Sequence, residues 1–220
     1  MSEQLYTQTS KQASSLFKEQ PELFKAYQRG YVKQQRLWPS NPLDAIISEL
    51  QQEIQVMSES GGPGSTFTIA DFGCGEARLA RTLEETCKDK NVPFQVHSFD
   101  FVATNELVTA GDMAHTGLKS GSVDFGVFCL SLMGTNVNDF LTEANRVLKD
   151  GGRLRVAEVR SRFDSIPKFI KKLKGFGLKL IELRGNDNSA FFTHFTFVKM
   201  GQVKKSNIEV KLAPCIYKKR

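Results

Sequence analysis

At 220 residues, with 40% apolar and 25% charged side chains, the chain can bury one good core but has little room for a second independent domain. Thirty Lys and Arg against 24 Asp and Glu give a formal charge of +6, which fits either an anionic partner or a plain solvated basic surface. No apolar run approaches the roughly 18 residues of a membrane-spanning helix, the start lacks a signal peptide's apolar core, and Cys74, Cys87, Cys129 and Cys215 form no C-x-x-C pair. A soluble protein with reduced thiols and no metal is therefore expected.

The chain opens with helical patterns over residues 11–19 and 21–33, separated by a proline that suits a helix start. A third helix is expected after Asn41, its cap, with Pro42 in the first turn and Leu43, Ile46, Ile47, Leu50 and Ile54 on one buried face. Residues 1–57 thus read as a helical cap segment. Residues 58–65 have loop composition, and from there apolar strand runs alternate with helices. The strands fall at 66–72, 94–99, 107–110, 123–130 and 153–159, and the helices at 77–86, 139–148 and 166–176. This alternation predicts an α/β core over 58–220, with a mostly parallel sheet covered on both faces. Two further strand-like runs, 179–183 and 191–199, flank the turn-rich Arg184-Gly185-Asn186-Asp187-Asn188 and read as a hairpin. A hairpin closing a parallel sheet is the mark of the Rossmann-like class I S-adenosylmethionine-dependent methyltransferase fold, with seven strands and an antiparallel C-terminal pair. A polar linker at 201–206, a strand-like segment at 208–217 and the basic end Lys218-Lys219-Arg220 complete the chain.

In such sheets ligands bind beyond the carboxyl ends of the strands, where strand order reverses. Asp71-Phe72-Gly73-Cys74-Gly75 falls there, its glycines allowing a tight turn and close backbone approach. Arg78 stands where a dinucleotide fingerprint needs glycine, which counts against nicotinamide and flavin cofactors. Asp71 either holds the turn or faces a cationic ligand. Asp100 ends the second strand, where a carboxylate accepts from both hydroxyls of a ribose. Asp112 and Met113 follow the third strand. They suit an adenine, as acceptor and apolar packing surface, or are a surface aspartate beside a core methionine. Cys129 ends the fourth strand, as a buried core thiol or a nucleophile, and nothing near it in sequence is placed to lower its pKa. His97, His115 and His194 show no metal spacing.

The strings SEQLYT, WPSNPLD, ADFGCGEARLA, HSFD, GDM, FCLSLMGTN, VAEVRSRF and PCIYKKR resemble the catalytic region of the nucleomethylin, or ribosomal RNA-processing protein 8, methyltransferases. The resemblance runs from Glu3 to Arg220, and FCLSLMGTN is its most specific part. It implies methyl transfer from S-adenosylmethionine, leaving S-adenosylhomocysteine, to N1 of an adenine in large-subunit ribosomal RNA, in the nucleus and nucleolus. It also implies pre-ribosomal or chromatin proteins as further partners. Alternatives within the same fold are methylation of a protein or small molecule, or a cofactor-binding scaffold in nucleolar or chromatin complexes. Cofactor contacts carried over from the family fall on Gly73, Asp100, Asp112, Met113 and Cys129, with no catalytic base. A further family contact is a histidine in a Y-H-R-G-F motif. This chain has Tyr27-Gln28-Arg29-Gly30-Tyr31, so Gln28 takes that place with a hydrogen-bonding but uncharged group. Asp150 also departs from the proline usual before Gly151-Gly152. The family's basic N-terminal extension has no counterpart in these residues, as in a trimmed chain or a naturally short member.

RNA contacts are expected from Lys25, Arg29, Lys33 and Arg36, from Arg160 and Arg162, and from the basic end. Asn136 is a candidate both for the substrate adenine and for a helix N-terminus.

Overall fold

The computed structural model describes residues 2–60, 66–87, 93–187, 189–204 and 208–215. Helices α1 (Ser2–Thr7), α2 (Ser10–Glu19), α3 (Pro21–Gln35) and α4 (Pro42–Ser60) precede the first strand. Then come β1 (Phe67–Phe72), α5 (Arg78–Cys87), β2 (Phe94–Asp100), β3 (Val108–Ala110), β4 (Val123–Cys129), α6 (Val137–Val147), β5 (Leu148–Val159), α7 (Ile166–Gly175), β6 (Leu178–Arg184) and β7 (Phe192–Lys199). The seven strands form one sheet in the order β3-β2-β1-β4-β5-β7-β6. β3 through β5 are parallel, and β7 is antiparallel to both β5 and β6. The order reverses between β1 and β4, which places a ligand-binding crevice at their carboxyl ends.

Period-2 alternation sends strand side chains to opposite faces. Ala70, Phe72, Phe128, Val156 and Phe195 pack against α6 and α7, while Ile69, Phe125 and Val127 pack against Ile46, Leu50 and Ile54 of α4 and Leu79 and Leu83 of α5. The expected boundary at residue 58 therefore falls inside α4, a helix whose apolar stripe belongs to the sheet core. Its polar side also grips the sheet. Glu49 accepts from Arg155 at 2.7 Å, and Glu53 pairs with Arg153 and Arg155. Helices α1 to α3 instead form a small core of their own, with Leu5, Ala13, Phe17 and Phe24 packed on Phe101 and Met133.

Three expectations change. α1 precedes the predicted helices, and α2 is closed by a capping box in which Thr9 and Gln12 exchange hydrogen bonds. Gly151 and Gly152, expected in a turn between the helix at 139–148 and the strand at 153–159, bulge instead within β5, where the register against β4 jumps from Val123↔Leu148 to Phe125↔Arg153. Residues 208–215 form no strand. Their backbone groups are taken instead by side chains and loops: Asn138 donates to Ile208 O and accepts from Val210 N, and Ala213 N donates to Arg162 O. The basic end and residues 61–65 of the expected loop lie outside the described residues.

Candidate active site

The turn after β1 is fixed by backbone geometry before any side chain enters. Gly73 and Gly75 lie at φ +75° and +61°, a region that disfavours other residues. The Gly73 and Cys74 amides both donate to Phe99 O, at 2.8 and 2.9 Å. A Cβ on Gly73 would stand 2.4 Å from the Ser131 Cβ, so only glycine lets this turn approach the loop after β4. At the end of β2, Asp100 braces the same turn. Its Oδ2 accepts from Gly75 N and its Oδ1 from Phe101 N, both at 2.7 Å. Each oxygen keeps a lone pair for a ligand hydroxyl.

Two carboxyls in this wall titrate high. Burial raises Asp71 to about 7, helped by the charge of Asp100. Burial also raises Asp100, to about 6, against the pull of its two backbone donors. Asp71 accepts no hydrogen bond that would stabilise its charge among the described residues. A buried carboxyl so poised changes charge near neutral pH, and an approaching cation would favour its ionised form.

Beyond β3 and β4 the wall continues through Gly111, Met113, Cys129 and Leu130. Asp112 stands behind it: Oδ1 accepts from Ala114 N at 2.9 Å and Oδ2 from Ser10 Oγ at 2.7 Å. Burial pushes the Cys129 thiol up, and the charges of Asp71 and Glu158 push it further. The nucleophile reading of Cys129 thus has no activating partner. Asn136 sits at the N-terminus of α6, but its amide serves α2. It accepts from Ser10 N at 2.9 Å and donates to Ser10 Oγ at 2.8 Å and to Asp139 at 2.9 Å.

The loop from Leu130 to Asn136 is held from beneath by residues that the sequence reading passed over or misplaced. Glu158 accepts from Leu132 N at 3.0 Å and Arg162 donates to Leu132 O at 2.8 Å, while the two side chains pair at 2.7 Å, both almost fully buried. Tyr6 of α1 lies under the Arg162 guanidinium, 4.8 Å from ring centroid to carbon. Arg162 is therefore no RNA contact, because its charge is spent in the core. The signal was available in sequence. A glutamate inside the apolar run Val156-Ala157-Glu158-Val159 needs a partner, and Arg162 follows four residues on.

The opposite wall belongs to the cap. One stripe of α3, with Phe24, Tyr27, Gln28 and Tyr31 at helical spacing, faces the cavity alongside Phe17 of α2. Gln28 Nε2 and Gln8 Oε1 are buried there with no partner among the described residues. One cavity therefore gathers Gln28, Gly73, Asp100, Met113 and Cys129 from the N-terminal cap and from four strand ends.

A parallel sheet with its crevice at the β1/β4 switch, closed by an antiparallel β6–β7 hairpin, is the fold of class I methyltransferases. Among solved structures it is shared with a 1,6-didemethyltoxoflavin-N1-methyltransferase from Burkholderia thailandensis (TM-score 0.55, 13% identity, covering 82% of this chain and 90% of that one). It is shared too with the DszA carbon methyltransferase (TM-score 0.59, 14% identity, covering 76% of this chain and 57% of that one).

The chain belongs to the ribosomal RNA-processing protein 8 family of methyltransferases. Residues 1–220 match the family described as hypothetical methyltransferase. Over its full length the chain is 44% identical to the ribosomal RNA-processing protein 8 of Rattus norvegicus and 41% identical to that of Arabidopsis thaliana, covering 44% and 72% of those proteins. It is also 44% identical to the Schizosaccharomyces pombe 25S rRNA (adenine(645)-N(1))-methyltransferase, covering 67% of it. The chain thus spans less than half the length of the rodent relatives it matches.

Proposed function

We propose that this chain transfers the methyl group of S-adenosylmethionine to N1 of an unpaired adenine in large-subunit ribosomal RNA, in the nucleolus. The observation that carries the reading is the cavity between glycine turn and cap, with family membership and the name of the S. pombe relative behind it. The residues present fit the cofactor. Gly73 leaves room where a Cβ would collide, Asp71 lines the cavity as a buried carboxyl whose ionised form a cation would favour, and Gln28 Nε2 is buried with no acceptor among the described residues.

In this reading Asp100 takes the ribose hydroxyls, and Met113 and Phe101 enclose the adenine ring. Asp71 faces the ammonium group of the methionine part, and Gln28 donates to its carboxylate. Asp112 acts from behind, holding α2 through Ser10. Cys129 lines the same cavity and would pack against the bound cofactor. The bound cofactor supplies a methyl group already activated on a sulfonium. Adenine N1 carries its own lone pair, so what the protein must provide is placement and exclusion of water, and no general base is assigned. The clamp of Glu158 and Arg162 on Leu132 supplies placement by fixing the loop at the acceptor end. N1 is hidden in a paired base, so the target is met unpaired or extruded at a cost of a few kcal/mol. Lys25, Arg29, Lys33 and Arg36 are exposed and offer phosphate contacts.

The test is transfer of labelled methyl groups from S-adenosylmethionine to purified large-subunit RNA and, separately, to protein, with the product nucleoside identified by mass spectrometry. Label in N1-methyladenosine is expected. Label in protein alone, or in another nucleoside, sinks the reading.

A further inference from the structure

The loop that leaves β4 is fixed at more points than a connection needs. Leu130 has a φ of +58°, and among the described residues other than glycine only Ala77 shares that left-handed region. A non-glycine residue persists there only where its surroundings over-determine it, and such strained residues gather at active sites. The surroundings do so here. Leu130 N donates to Ala157 O at 2.9 Å and Met133 N to Ser131 O at 2.7 Å, while the Glu158–Arg162 pair takes both backbone groups of Leu132, at 3.0 and 2.8 Å.

Within this frame one hydroxyl is left over. Ser131 lines the cavity and is 7% exposed, and its Oγ is buried with no partner among the described residues. A buried hydroxyl that bonds nothing destabilises the fold, and alanine at this position would keep all of these backbone bonds. Strain and clamp thus hold in place a group that the fold itself does not use. Nor is it called for by the cofactor, whose hydroxyls, ammonium, carboxylate and ring fall to Asp100, Asp71, Gln28 and the pair of Met113 and Phe101. What remains to be met in the cavity is the acceptor.

The chemistry of the acceptor selects the bond. An adenine that turns N1 to the methyl group presents one hydrogen-bond donor on that edge, its N6 amino group, with only a C2–H on the other side of N1. The N1 lone pair forms the bond to the methyl carbon as the carbon–sulfur bond breaks and its pair stays on sulfur. Positive charge therefore passes to the purine, where N1 and N6 share it. N6–H becomes a stronger donor in the transition state, so an oxygen already fixed beside it binds that state more tightly than the ground state. A serine hydroxyl keeps two lone pairs for this whichever way its hydrogen turns.

We infer that Ser131 contacts the target base, its Oγ accepting from the N6 amino group while N1 takes the methyl group. This rests on the adenine-N1 reading above and gives that reaction a residue that senses which base is present.

The experiment measures kcat and KM on large-subunit RNA for the parent, Ser131→Ala and Ser131→Cys, the last filling the same space with a weak acceptor. Both variants should lower kcat about thirtyfold, in the range for one hydrogen bond to a group that gains charge. KM, affinity for S-adenosylhomocysteine and melting temperature should not change. The same RNA carrying purine, which lacks the amino group, in place of the methylated adenine separates hydrogen bond from packing. On it the parent and Ser131→Ala should transfer label at equal rates. Parental kcat in Ser131→Ala overturns the inference. So does an equal loss on the purine RNA, which would mean that the side chain only shapes the loop, or a loss of S-adenosylhomocysteine affinity that matches the loss of kcat. Each of those outcomes leaves the adenine-N1 reading standing. That reading fails on the parent instead, if no label enters N1-methyladenosine, and the role of Ser131 then falls with it.

Discussion

Along the sheet-side wall of the cavity the amides of Gly73, Cys74, Gly75, Phe101 and Gly111 all donate to acceptors within the protein, whereas on the cap-side wall Gln8 and Gln28 each bury a polar atom with no partner among the described residues. The difference, among the described residues, separates a wall whose backbone is satisfied before any ligand arrives, with only the Asp71 and Ser131 side chains left open, from one whose helices are held by no such backbone network at the cavity and whose amides a ligand completes. Backbone hydrogen bonds in the first wall are worth keeping with the cavity empty. The orphaned amides of the second carry a desolvation cost of about 1–3 kcal/mol each until something pairs with them. Damage to the sheet wall should therefore abolish binding, and damage to the cap should grade it.

The largest effect is expected at Gly73. Alanine there adds a Cβ 2.4 Å from that of Ser131 at a backbone angle of +75°, so Gly73→Ala should lower affinity for S-adenosylhomocysteine at least about a hundredfold. Calorimetry on the single variant and on Gly73→Ala with Ser131→Gly separates the two causes. The second change removes the collision and should recover part of the loss. No recovery would mean that backbone strain alone is responsible.

Next comes the dependence on pH. Asp71 titrates near 7 in the folded protein against an ordinary 3.8, and Asp100 near 6. Both values are raised, so between pH 4 and 7 the folded state holds more protons than the unfolded one. The empty protein should lose stability as pH rises through that window. A cationic ligand favours the ionised carboxyl, so cofactor affinity should rise about tenfold from pH 6 to 7 and level off above. In Asp71→Asn both slopes should flatten toward the residual of Asp100, as read by melting temperature and by binding isotherms. An unchanged slope would remove Asp71 from the site.

A smaller change is expected at the cap's Gln28. Gln28→Ala should weaken the cofactor about five- to tenfold, the worth of one ordinary hydrogen bond at the upper end of its range. Gln28→His should restore binding in its protonated form, below the ordinary histidine pKa of about 6.5. Equal affinity in the parent and both variants would mean that the cap covers the cofactor without touching it.

The same two walls explain how much was readable in advance. That Gly73, Asp100 and Met113 line the cavity was legible because strand ends carry local signals, a glycine pair or a carboxylate closing an apolar run, whereas Cys129 was named as a contact only through resemblance. Gln28 was legible only through resemblance, since a glutamine on a helix looks like any solvated side chain until the fold turns it inward. Asp112 is at the expected strand end, but its bond to Ser10 joins residues far apart in sequence, a contact no periodicity encodes. Arg162 was misread although half of its signal was local: Glu158, four residues before it inside an apolar run, needs a partner, and only the bond to Leu132 is a contact no periodicity encodes. Residues 208–215 carry strand-like side chains, yet Asn138 and Arg162 take up their backbone groups.

Ser10 joins the two walls and is where the smallest effect tells most. Its hydroxyl donates to Asp112 and accepts from Asn136, while its amide donates to Asn136 independently. Ser10→Ala deletes the first two bonds and keeps the third, so α2 remains docked but less firmly. A cap that is completed by the ligand should lose only about two- to fivefold in affinity, mainly through faster release. Amide exchange in α2 and α3 should quicken in the empty protein and slow again with S-adenosylhomocysteine bound, while the amides of β1 stay unchanged throughout. Faster exchange in β1 as well would show that cap and sheet open together, and the distinction between a prebuilt wall and a ligand-completed one would fall.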